Sequence, residues 1–172
     1  MSEPDHAEIL RSGPRAWNAW REKNPSTITD LSGIALKLSE RQMGQINGGP
    51  INLKSARLQD AFLRFATLSA ANFEAAEMSG ADLVHVRFDQ ANLTKVNLCG
   101  ARLRFATLAA ADLEAADMSG ADLMHARLDQ ANLSAANLSN ARLDYADLAG
   151  ANITKVNLCL REIFGVLQTR AT

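Results

Sequence analysis

Residues 81–98 read Ala-Asp-Leu-Val-His-Val-Arg-Phe-Asp-Gln-Ala-Asn-Leu-Thr-Lys-Val-Asn-Leu, and the spacing of their apolar residues decides the fold. Leu83, Phe88, Leu93 and Leu98 stand five apart, and two residues before each comes Ala81, Val86, Ala91 or Val96. Extended both ways, the period holds from Leu53 to Leu158, through 22 centres that are all large and apolar. Seventeen are Leu; the others are Phe73, Met78, Phe88, Met118 and Ile153. The position two before the centre is Ala in 18 cases and otherwise Ile51, Val86, Val96 or Val156. Between the two lies a polar residue in every repeat but that of Phe62, most often Asn or Asp.

A helix cannot use this pattern. Five residues advance it by about 140° beyond a full turn, so the centres would spiral over every face. A flat strand fails as well, because an odd period alternates sides of a sheet. What remains is a coil that turns a corner at each repeat and keeps the centre and its partner Ala inside, packed closely.

The charges fix the size of the coil. Stacking each pre-centre residue on the one 20 later pairs Arg57–Glu77, Asp82–Arg102, Arg102–Asp122, Asp122–Arg142 and Arg127–Asp147, with no like-charged pair. A coil of 15 would stack Arg87 on Arg102, and one of 25 would stack Arg102 on Arg127. Opposite charges across a ladder are favourable by roughly 0.2–1 kcal/mol and like charges unfavourable. Four repeats per coil is the consistent choice. A duplication agrees: residues 61–93 match 101–133 at 25 of 33 positions, an offset of two such coils. The run Asn92–Cys99 returns as Asn152–Cys159, three coils on.

Tandem Ala-Asp/Asn-Leu-x-x over residues 51–160 resembles the pentapeptide-repeat family. The resemblance implies an all-β solenoid: a right-handed, four-sided β-helix with the centre and the preceding Ala pointing inward. It does not by itself fix a function.

The expected organisation is an N-terminal helical cap (1–28), an irregular first coil (29–50), the regular β-helix (51–163) and a tail (164–172). Ile9, Leu10, Ala16, Trp17 and Trp20 recur near helical spacing, with a break or kink expected at Gly13-Pro14. A solenoid's first coil exposes an apolar cross-section, so Trp17 and Trp20 are expected to cover it rather than to bind a partner. Leu31, Ile34 and Leu36 look like early repeats out of phase by two residues, which places an irregularity between Leu36 and Ile51. In the tail, Phe164, Val166 and Leu167 either fold over the last coil or meet another copy. Related pentapeptide-repeat proteins often dimerise through this end, and a C-terminal homodimer through Phe164, Val166 and Leu167 is the expectation.

Catalytic and metal signatures do not assemble. Cys99 and Cys159 are three coils apart, roughly 14 Å by strand spacing, too far for a disulfide. His85 and His125 have no Cys, Asp or Glu to complete a zinc set, and no nucleotide-binding loop or catalytic triad spacing is present. No cofactor, metal or catalytic residue is expected. One surface feature stands out: the second residue after successive centres on one face is Phe65, His85, Phe105, His125 and Tyr145, with Arg64 and Arg104 alongside. Stacked rings strengthen a sheet face, and aromatic residues beside Arg also suit a partner-binding strip.

A net charge of −1, with no long apolar run and no signal-peptide core, points to a cytoplasmic protein that binds neither membrane nor nucleic acid directly. The leading expectation is a non-enzymatic scaffold or protein-interaction module with an unidentified protein partner. The alternative is a DNA-mimicking gyrase antagonist of the quinolone-resistance type, because the resembled family includes such proteins. Those are strongly acidic, whereas residues 51–160 carry 10 Lys/Arg against 12 Asp/Glu.

Overall fold

A computed structural model describes residues 5–35 and 50–158. Two short helices open the chain, α1 (His6–Arg11) and α2 (Pro14–Lys23). Asp5 caps α1 by accepting the Ala7 N–H, and Gly13, at φ 96°, makes the bend that lets Pro14 start α2. From Asn52 onward, every fifth residue forms a parallel bridge with the residue 20 later, as in Asn52–Asn72, Arg57–Glu77, Phe62–Asp82 and Thr67–Arg87. The result is a right-handed, four-sided β-helix with four repeats to the coil.

Backbone hydrogen bonds set the five-residue unit. The centre N–H donates to the next coil, as Leu53 N to the Asn72 carbonyl, and so does the corner N–H two residues on, as Ser55 N to the Glu74 carbonyl. The pre-centre N–H donates backward, as Asn72 N to the Ile51 carbonyl. The inward Ala N–H closes a turn on the previous centre, as Ala56 N to the Leu53 carbonyl at 3.1 Å. Where the pre-centre residue is Asn or Asp, its side chain takes the fifth donor, just after the centre: Asn52 Oδ1 accepts the Lys54 N–H, and Asn72, Asn92, Asp112, Asn132 and Asn152 do the same. Asn and Asp recur because they form this local Asx turn.

The core is a single column. From Ile51 to Ala146, every centre and inward Ala or Val is buried. Phe73 and Phe88 meet edge to face inside one coil, at 5.2 Å between centroids. Full burial stops within the last described coil, although Leu148, Ala151, Val156 and Leu158 still pack against the core. Leu148, Val156 and Leu158 are partly buried and Ile153 is 54% exposed.

At the other end, α2 replaces a missing coil. Trp17 Nε1 donates to the Asn52 carbonyl at 2.6 Å, Asn18 Oδ1 accepts the Asn52 N–H, and Arg21 donates to the Lys54 carbonyl. Those are the three groups that a preceding coil would have bonded on that face. Trp17 is fully buried, while Trp20 packs beside it at 5.5 Å and is only half-buried. Burial pushes the Arg21 guanidinium below its ordinary pKa. On the next two faces residues 29–35 supply the lower ladder, where Asp30 bridges Arg57 and Ala35 bridges Phe62. Each of these offsets exceeds a full coil by one repeat plus the phase shift of two read from the sequence. Most of the expected irregularity, residues 36–49, lies outside the described residues.

Candidate functional site

Each repeat ends in a corner whose third turn residue has positive φ. One corner column uses the residues built for it, Gly80, Gly100 and Gly120. The next column carries Phe65, His85, Phe105, His125 and Tyr145 at φ 57–60°, where bulky side chains are disfavoured. The coil spacing then stacks their rings. Centroids of successive rings lie 4.9–5.0 Å apart and their planes differ by 5–9°. Such pairs are worth about 0.5–1.5 kcal/mol each, comparable with the cost of the backbone conformation. Phe65, Phe105 and Tyr145 remain 46–57% exposed. The faces of His85, Phe105 and His125 are covered by their neighbours, so the column presents ring edges to solvent.

Arginines border the column on both sides. On one face, Asp82 lies 3.8 Å from Arg64 and 3.5 Å from Arg102; Asp122 lies 2.5 Å from Arg104 and 3.6 Å from Arg142. Val84 is buried in the row between Arg64 and Arg104, and Arg64 sits 5.7 Å over the Phe65 ring. On the adjoining face, Arg87 pairs with Asp89 and Arg127 with Asp129. All five charge stacks expected from the sequence are in register, Arg57–Glu77, Asp82–Arg102, Arg102–Asp122, Asp122–Arg142 and Arg127–Asp147. Ion pairs close at Arg102–Asp82 and Arg142–Asp122, while Arg127, stacked on Asp147, makes its ion pair with Asp129 in its own coil.

The family model described as pentapeptide repeats matches in eight copies, over residues 51–83, 81–120 and 121–158. The chain belongs to the pentapeptide-repeat family. Among solved structures, this pentapeptide-repeat chain is 34% identical to alr5209 from Nostoc PCC 7120, covering 57% of this chain and 84% of that one, with a TM-score of 0.39. HetL, a pentapeptide repeat protein involved in heterocyst differentiation regulation in the cyanobacterium Nostoc sp. strain PCC 7120, is 26% identical over 75% and 82% of the two chains, with a TM-score of 0.25. Full-length QnrB1, a plasmid-mediated fluoroquinolone resistance protein, is 17% identical over 86% and 85%, with a TM-score of 0.26. A search of curated proteins finds no match.

Cys99 is an exposed free thiol, and Cys159 lies outside the described residues, as do Phe164, Val166 and Leu167. Among the described residues, no group of three or more His, Cys, Asp or Glu is placed to hold a metal ion. No helix among them is long and apolar enough to cross a membrane. Sequence reading placed Phe65, His85, Phe105, His125 and Tyr145 in one column with Arg64 and Arg104 beside it. It missed Arg87 and Arg127 around the corner; their spacing of two whole coils was the available signal.

Proposed function

We propose that this pentapeptide-repeat chain is a non-enzymatic protein-interaction module, and that the ring column with its arginine borders is its docking strip. One observation carries the reading: five aromatic residues occupy a corner that Gly80, Gly100 and Gly120 fill in three of the five coils of the neighbouring column, and three of the aromatic residues stay about half exposed. The flat coil faces give substrates no enclosure from water, while a rigid grid of side chains suits recognition. The outward guanidiniums are the reverse of a phosphate imitation, which disfavours the DNA-mimic alternative. The test is affinity capture from the source cell with the intact chain and with Phe105→Asn/Tyr145→Asn, Asn being tolerant of the corner conformation. Proteins retained by the parent and lost with the variant support the strip. Identical captures, with the variant folded, contradict it.

We also propose that the C-terminal end pairs with a second copy. Its support is the apolar surface that Leu148, Ile153, Val156 and Leu158 leave on the last described coil. Phe164, Val166 and Leu167 would extend that surface.

A further inference from the structure

Among the described residues, six ion pairs flank the ring column, and in all six the arginine is the outer partner. The guanidinium side chains of Arg64, Arg87, Arg102, Arg104, Arg127 and Arg142 are 42–61% exposed, while Asp82, Asp89, Asp122 and Asp129 are 10–25% exposed. Formal charge on these two faces balances, because Asp144 and Asp147 add two more carboxylates. Both belong to the last described coil. Below them, four carboxylates are sunk under five arginines, and what solvent meets is guanidinium. Each Arg has five N–H donors and its pair uses at most two, so most remain available. Surface pairs of this kind are weak and do not hold those donors back.

From this charge layout we propose that the docking strip takes an acidic protein segment, one that lays carboxylates along the arginines and apolar side chains against the ring edges. The inference rests on the strip being the docking surface and adds the chemistry of its partner. A single-stranded nucleic acid would also meet the guanidiniums, but its bases require free ring faces to stack on. The inner three rings offer none, since each is covered above and below at 4.9–5.0 Å.

The experiment is selection of a displayed random-peptide library on the immobilised intact chain, repeated on Arg102→Gln/Arg142→Gln. This variant leaves Asp82 with Arg64 and Asp122 with Arg104, so no carboxylate loses both partners. Selected peptides should be enriched in Asp and Glu alternating with apolar residues. Their synthetic versions should bind the variant about tenfold more weakly, a loss typical of removed charge contacts. A thymidine oligonucleotide should fail to displace them. Neutral or basic selected peptides, full binding to the variant, displacement by the oligonucleotide, or no selection at all would overturn the proposal. Peptides that keep binding the arginine variant but lose Phe105→Asn would leave the strip as a docking surface and sink only its preference for acid.

Discussion

Ala106 and Ala109 show what five-residue periodicity means for one side chain. Ala106 is fully buried at an inward position, whereas Ala109 follows a centre and faces outward. Ala106→Leu forces three extra carbons into a closely packed column and should cost about 1–3 kcal/mol. Ala109→Leu should stay within about 0.5 kcal/mol. Equal denaturation midpoints would refute the inward assignment. The corner makes a second residue-scale prediction. His85 sits at φ 58°, which Asn tolerates and a β-branched residue does not. Both substitutions remove the ring and its two stacking contacts, so their difference isolates the backbone. His85→Val should be less stable than His85→Asn by about 1 kcal/mol, read from chemical denaturation. If the two coincide, the corner is not in the left-handed region.

At the scale of elements, α2 matters for the bonds it completes. Its Trp17, Asn18 and Arg21 stand in for the N–H and carbonyl groups of an absent coil on the Leu53 face. An open ladder edge is a template for another chain. Removing residues 1–23 should therefore produce soluble aggregates at micromolar concentration, measured by light scattering. A monomeric fragment of undiminished stability would show that the edge needs no cover. The sequence foretold a helical segment and a cap, because solenoid ends require one. It could not foretell that Asn18 matters alongside the tryptophans, since a polar residue on a short helix looks like any solvated position. Nor could it reveal that the corners have positive φ, because Ala, Lys, Gln and Phe fill them as well as Gly. That conformation is imposed by coil closure and overrides local preference.

For the whole molecule, the coil length was legible because charge pairing rejected coils of three and of five repeats, and the ladder of bridges has the offset of four. The ring column followed from the same arithmetic. The inset of Asp82 and Asp122 beneath their arginines did not, because charge counts ignore depth. The C-terminal end carries a prediction of its own. Ile153 is exposed and Leu148 and Leu158 are only partly covered, so the intact chain should sediment as a dimer and Phe164→Asp as a monomer. Monomers in both cases would leave the tail as a lid.

The central claim is that equivalent residues of successive coils stand directly above one another, and that this register builds the aromatic column. Nuclear Overhauser contacts among the aromatic ring protons measure it directly. The coil predicts an unbroken chain of contacts from Phe65 to His85, Phe105, His125 and Tyr145, each ring seeing only its neighbours above and below in the column. A spectrum lacking those contacts would contradict both the register and the strip proposed to bind a partner.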